Sequence, residues 1–249
     1  MQIIALGGGG FSTGSEPGLD TYLLRQSRST TPRVGFIGTA SGDAESYRLK
    51  FYARFSKLDC RPSHLSFFGR TPNLEAWILG QDLIFVGGGN SKSMLAVWRD
   101  WGLPAILRRA ADAGTLLTGI SAGAICWFES GVTDSASSGL APLGCLGFLP
   151  GSACPHYSGE AERRPGYERM VGSGEIVPGF AIDDGAALHF VNARATRVVV
   201  GRPGAKVYRV EREEGRGVSR SIEDLPKVDT SSSSSSGDAN MFGMGATDV

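Results

Sequence analysis

Only three histidines stand in 249 residues, so a search for acid–base chemistry is short. The segment Thr118-Gly119-Ile120-Ser121-Ala122-Gly123-Ala124 carries the spacing Gly-x-Ser-x-Gly. That spacing fits a nucleophile elbow, a sharp strand-to-helix turn that lifts a serine hydroxyl above a sheet. Glycines beside the serine remove Cβ atoms that would clash in so tight a turn. A serine hydroxyl is hardly ionised at neutral pH and needs a general base. His64 and His189 lie in strand-like apolar runs and read as structural. His156, in Ala-Cys-Pro-His-Tyr-Ser, lies in a loop 35 residues after Ser121 and is the expected base. The group that orients the imidazole is open. Asp134 is the first choice, Glu129 the second, and Asp183 and Asp184 are the remaining candidates.

A tetrahedral oxyanion formed at Ser121 needs backbone donors. The Ala122 N–H supplies one, and a second comes from Gly88 or Gly89 in Val86-Gly87-Gly88-Gly89-Asn90-Ser91. A third glycine cluster, Gly7–Gly10 with Gly14, invites a phosphate-binding reading but fails it. Ser15-Glu16 stands where a P-loop has Lys-Ser/Thr, and Ser12 replaces the third glycine of a dinucleotide fingerprint. A tight turn at the carboxyl edge of a sheet is the better reading.

Such a site needs a sheet whose strand ends converge. Short apolar runs at Gln2–Leu6, Arg33–Gly38, His64–Phe68, Asp82–Val86 and Thr115–Ile120 alternate with helical patterns at Asp20–Gln26, Ala44–Leu58, Lys92–Trp101 and Pro104–Ala113. The alternation predicts a three-layer α/β sandwich with a mostly parallel sheet. From about Glu129 to Pro155, Gly, Ser and Pro suggest loops. Thr196–Val200 and Lys206–Glu211 around Gly201-Arg-Pro-Gly204 suggest a closing β-hairpin. A catalytic domain over residues 1–212 is expected, followed by a disordered polar tail over 213–249 that includes Ser231–Ser236.

Glycine contributes 36 of 249 residues, about 14% against a usual ~7%. No Gly-X-Y period is present, and the glycines bunch at predicted strand ends. With 25 Lys+Arg against 25 Asp+Glu the formal charge is zero. A nucleic acid or an anionic membrane surface is therefore not an expected partner. The amino terminus has no signal-peptide pattern, no run is long enough for a membrane span, and the four cysteines show no zinc spacing. The expectation is a cytoplasmic enzyme that needs no metal or cofactor and acts on a small substrate. A homodimer stays open.

Gly-Gly-Gly-Asn, Gly-Ile-Ser-Ala-Gly-Ala and Pro-His-Tyr, in that order, resemble the peptidase E family of serine peptidases (aspartyl dipeptidases), related to cyanophycinases. The resemblance runs from about Met1 to about Val210. It implies a fold like class I glutamine amidotransferases, with serine in place of their cysteine, and hydrolysis of dipeptides with N-terminal aspartate. Ser121 matches the family nucleophile, His156 its base and Asp134 its acid. The spacing to Asp134 is slightly short, which keeps Glu129 in play. Arg164 matches the family's substrate-reading arginine, with Arg163 beside it. Asp184 matches an acidic position in the loop before the last strands, expected to line the site and engage the substrate's ammonium group, and Asn90 closes the glycine motif as a substrate contact. Another acyl hydrolase, cyanophycinase-like or an esterase, is the rival reading; a catalytically silent binding module on the same fold is the rival of a different class.

Overall fold

Ile3–Leu6 and Leu83–Val86 offer no polar side chain on either face of a strand, and a strand of that kind must be covered on both sides. A computed structural model of the chain describes residues 1–136 and 139–231 and covers them so. The first half runs β1 (Gln2–Leu6), α1 (Pro17–Arg25), β2 (Arg33–Ile37), α2 (Glu45–Phe55), β3 (Arg61–Leu65), α3 (Leu74–Leu79) and β4 (Leu83–Val86). There follow α4 (Ser91–Asp100), α5 (Leu103–Ala113), β5 (Leu116–Ile120) and the short α6 (Ala122–Ile125). The second half holds β6 (Phe128–Thr133), β7 (Ala141–Gly144), β8 (Leu149–Cys154), α7 (Arg163–Ser173), β9 (Gly179–Ile182) and β10 (Ala186–Val191). It ends with β11 (Arg194–Val200), β12 (Val207–Glu213), β13 (Arg216–Ser221) and β14 (Lys227–Asp229).

An eight-stranded sheet has the order β14-β11-β10-β1-β5-β4-β2-β3. Its five strands from β1 to β3 are mutually parallel, and β10 joins β1 antiparallel. Successive side chains point to opposite faces. Ile3, Ala5, Ile84 and Val86 therefore pack with Met94, Leu95, Trp98 and Leu107 of α4 and α5. Ile4, Leu6, Leu83 and Phe85 pack with Leu19 and Leu23 of α1 and Phe51 and Phe55 of α2. The expected α/β sandwich is present. At its centre, the carboxyl ends of β1, β4 and β5 open side by side, so their loops can meet.

A six-stranded sheet, β13-β12-β9-β8-β6-β7, adds to it. Three of its strands occupy residues expected to be loops. The Gly and Ser content that suggested loops is tolerated because tertiary pairing, not propensity, makes these strands: β8 pairs with both β6 and β9. Phe128, Leu149, Ile182 and Val207 join the core shared with α4 and α5, while Tyr167, Met170 and Val171 of α7 cover the other side.

Two further expectations are corrected. β11 and β12 form no hairpin, since β11 pairs with β10 and β14 while β12 pairs with β9 and β13; the Gly201–Gly204 link passes from one sheet to the other. The polar stretch after Glu213 is not all tail, because β13 and β14 lie within it. β13 is held by a main-chain ladder to β12 and by Arg220 pairing across it with Glu211 and Glu213. Its composition, poor in apolar residues, concealed that support. Residues 232–249, with most of the serine run, lie outside the described residues. No helix among those described is long and apolar enough to cross a membrane.

His189 sits on β10 with 1% of its surface exposed. Its Nδ1 shares a hydrogen bond with the Tyr22 hydroxyl at 2.9 Å, and its Nε2 lies 3.2 Å from Gln2 Oε1. Burial, helped by the charge of Arg197, pushes its pKa down to about 4. The unfolded chain, with an ordinary histidine pKa, therefore binds more protons between about pH 6.5 and 4, and this group costs stability as the pH falls through that window. Urea unfolding of His189→Gln should show the variant gaining stability relative to the parent protein as the pH is lowered from 6.5 to 4. A difference independent of pH would contradict the burial argument.

Candidate active site

β5 ends at Ile120 and α6 begins at Ala122, which leaves Ser121 to turn the chain alone. It does so at φ 56° and ψ −115°. Such a conformation costs a residue with a side chain about 1–3 kcal/mol and persists only where neighbours enforce it. Here the Ser121 N–H donates to the Leu6 carbonyl at 3.3 Å, and its own carbonyl accepts from the N–H groups of Ala124 and Ile125 at 2.9 and 3.0 Å. The elbow is pressed onto the end of β4. A Cβ at Gly119 would meet Val86 O at 2.8 Å, and one at Gly123 would overlap the same residue. The Gly-x-Ser-x-Gly spacing is thus a packing requirement as well as a motif.

His156 follows β8 and is also left-handed, at φ 53°. Its carbonyl accepts from the N–H groups of Gly159 and Glu160, both at 3.1 Å, which closes a tight turn. Its Nδ1 stands 2.6 Å from Asp184 Oδ1. Asp184 lies in the turn between β9 and β10, drawn against the end of β1 by the Gly185 N–H donating to Gly8 O at 2.9 Å. The carboxylate fits because two residues lack a side chain: a Cβ at Gly8 would fall on Oδ1 and one at Gly159 on Oδ2. The hydrogen bond from His156 holds the Asp184 carboxyl below the usual carboxylate range. Partial burial opposes this, and the charges of His156, Arg202 and Arg163 assist it. Asp183 has a different task. Its oxygens accept from the N–H groups of Ser158 and Lys206 at 3.1 and 3.0 Å, tying the histidine loop to the start of β12.

Asp134 and Glu129, the first choices from sequence, are not hydrogen-bonded to His156. After α6 the chain enters the second sheet, and β6 carries both onto other partners. Asp134 lies 3.2 Å from Arg163 Nη2 with its side chain 62% exposed. Glu129 accepts from the Gly151 N–H at 3.1 Å. The expected substrate arginines are likewise engaged. Arg163, buried, meets Glu160 at 2.6 Å as well as Asp134. Arg164 meets Glu168 at 3.3 Å and lies 5.5 Å from the ring centres of Tyr157 and Tyr208. Asn90 caps α4 through Ser93 N–H at 2.9 Å and donates to Ser135 O at 3.2 Å.

Ser121, His156 and Asp184 line one cavity of about 360 Å³, together with Tyr47, Glu16 and Arg202. Gly88 borders it, and a Cβ there would stand 3.1 Å from Ser121 Cβ. The Gly88 N–H donates to the Tyr47 hydroxyl at 3.2 Å, and burial raises the Tyr47 pKa, which keeps it a phenol. Ala122 opens α6, so its N–H has no acceptor within the helix. Gly89, at φ +136°, packs on Ala40. No phosphate cradle forms at the first glycine cluster: Gly10 and Phe11 N–H donate at 3.2 Å to the buried carboxylates Glu16 and Asp20. Among the described residues no cluster of three His, Cys, Asp or Glu has the form of a metal site. No sequence pattern pointed to a site role for Tyr47, Glu16 or Arg202. Asp184, one of the remaining candidates from sequence, fits beside His156 only because Gly8 and Gly159 carry no Cβ.

The model of peptidase family S51 matches residues 3–198. An uncharacterized peptidase of Bacillus subtilis (strain 168), YgaJ, is 52% identical over 213 residues, covering 84% of this chain and 91% of that protein. Among solved structures, a peptidase from an acI-B1 Actinobacterium superposes with a TM-score of 0.69 at 16% identity, over 89% of this chain and 93% of the other. A protein of Listeria monocytogenes EGD-e assigned to peptidase E gives 0.59 at 18% identity, over 78% and 96%. These two likenesses bear on fold alone and agree with a class I glutamine amidotransferase-like arrangement.

A short imidazole–carboxylate hydrogen bond deshields the ring proton. Proton NMR should show one strongly downfield exchangeable resonance that disappears in Asp184→Asn and survives in Asp134→Asn and Glu129→Gln. Its loss in Asp134→Asn alone would show that the wrong carboxylate has been paired with His156.

Proposed function

We propose that this chain, which belongs to peptidase family S51, hydrolyses Asp-Xaa dipeptides with Ser121 as nucleophile, His156 as general base and Asp184 as the acid that orients it. The observation that carries the reading is the 2.6 Å contact of His156 with Asp184 on the wall of the cavity that also receives Ser121. Nucleophile, base and orienting group in that relation are the recurring signature of activated serine, whatever their order in the chain.

Ser121 Oγ attacks the peptide carbonyl while His156 Nε2 accepts its proton. The developing oxyanion takes the Ala122 N–H and the Gly88 N–H. For the latter, a charged acceptor replaces the neutral Tyr47 hydroxyl and makes the stronger bond. Each such donor is typically worth on the order of 10²–10³ in rate. Asp184, already held ionised, stabilises the imidazolium, which then protonates the leaving amine. Water enters, gives its proton to His156 and cleaves the acyl-enzyme, restoring Ser121. The volume of the cavity is at the small end of ligand sites, which suits a dipeptide better than an extended chain. The preference for N-terminal aspartate rests on the peptidase E resemblance and on the cationic side chain in the cavity wall.

Purified protein should turn over Asp-Xaa dipeptides faster than Asn-Xaa or Ala-Xaa. Ser121→Ala should fold with an unchanged melting midpoint yet lose several orders of magnitude in kcat/KM. His156→Gln should behave alike, whereas His189→Gln should retain turnover. Undiminished hydrolysis by purified Ser121→Ala would remove the mechanism, and loss confined to His189→Gln would point to an esterase-like order of residues.

A further inference from the structure

Neither arginine expected to read the substrate lines the cavity of Ser121 and His156. Arg163 lies between the carboxylates of Glu160 and Asp134, and Arg164 is taken by Glu168 and two tyrosine rings. Among the described residues that line the cavity of Ser121 and His156, one is a lysine or arginine: Arg202. It belongs to the Gly201–Gly204 link that carries the chain from one sheet to the other.

Its anchorage differs from that of the other two. Arg202 Nη2 donates to the Asp184 carbonyl at 2.7 Å, and Nη1 lies 3.8 Å from Glu16 Oε1. A guanidinium has five N–H donors in a rigid fork, so these contacts leave others unused, and the side chain is 52% exposed. Glu16 is only 3% exposed, and its other oxygen accepts from the Gly10 N–H at 3.2 Å. A buried carboxylate needs cationic or hydrogen-bonding company. Glu16 therefore holds the guanidinium by charge, at 3.8 Å, from a buried position in the same cavity wall.

We infer that Arg202 is a specificity-determining residue that binds a carboxylate of the substrate, and that Glu16 is the positioning residue that holds it there. The inference rests on the dipeptidase reading above and adds to it the group that selects the substrate. An Asp-Xaa dipeptide offers two carboxylates, the aspartate side chain and the free carboxyl terminus of the leaving residue. Both have the planar geometry that a guanidinium fork binds through paired charge-assisted hydrogen bonds.

The test compares kcat/KM of the parent protein, Arg202→Met and Arg202→Lys on Asp-Ala, Asn-Ala and Asp-Ala amide. Arg202→Met should cost roughly tenfold to hundredfold on Asp-Ala, mostly in KM. The cost should all but vanish on one analogue: Asn-Ala if the side chain is read, the amide if the terminus is read. Lysine should restore part of the loss. Glu16→Gln should raise KM on the same substrate and leave kcat nearly unchanged. An equal loss on all three substrates, or a loss in kcat alone, overturns the proposal and leaves Arg202 as a brace for the Asp184 turn. Phosphonylation of Ser121 by a fluorophosphonate, followed by intact mass, separates the two readings. Arg202→Met should lose far less in labelling rate than in kcat/KM on Asp-Ala, and an equal loss in both would again mean a brace. Absence of both labelling and turnover in the parent protein would instead strike the serine peptidase reading.

Discussion

An aspartate oxygen can stand 2.6 Å from His156 only because no Cβ occupies Gly8 or Gly159. Three segments distant in sequence meet there: the end of β1, the turn after β8, and the turn between β9 and β10. Each comes from a different part of the architecture, since β1 lies in the large sheet, β8 and β9 in the small one, and β10 returns the chain to the first. The two sheets must be seated on a common core before the imidazole acquires its partner. Asp183 supports the meeting by holding the histidine loop and the entry to β12 with two backbone hydrogen bonds. Consecutive aspartates thus divide the labour, one fixing the loops and the next facing the imidazole.

Two of the six non-glycine residues at positive φ among those described lie in this site. Ser121 and His156 both adopt left-handed conformations that residues with side chains seldom take, at a cost of about 1–3 kcal/mol each. That cost is a sizeable fraction of a domain's net stability of 5–15 kcal/mol, and the apolar layers on both faces of the large sheet offset it. These two turns set the serine hydroxyl and the imidazole on the wall of one cavity.

Much of this was legible in the sequence. The alternation of short apolar runs with helical patterns foretold a sheet covered on both faces, and the scarcity of histidine led from Ser121 to His156. The partner of His156 was expected at Asp134, whereas β6 delivers that residue to Arg163. Asp184 is brought in by a turn 28 residues beyond His156, a relation fixed by how the two sheets pack. The small sheet was obscured for a similar reason. Its strands carry Gly, Ser, Pro and charge, and they hold together by ladders and cross-strand pairs that local propensity does not record. The arginines show the same limit. Arg163 and Arg164 follow His156 closely in sequence and are spent on neighbouring carboxylates, whereas Arg202 arrives from the link between the sheets.

In the proposed mechanism Asp184, through His156, activates Ser121. The most direct test is the rate at which a fluorophosphonate modifies Ser121 in the parent protein, Asp184→Asn and Asp134→Asn, followed by intact mass. The account predicts a single adduct in the parent protein, labelling slowed by on the order of 10³ or more in Asp184→Asn, and a rate within a few-fold of the parent in Asp134→Asn. Equal rates in the parent protein and Asp184→Asn, with the slowing found in Asp134→Asn, would contradict it.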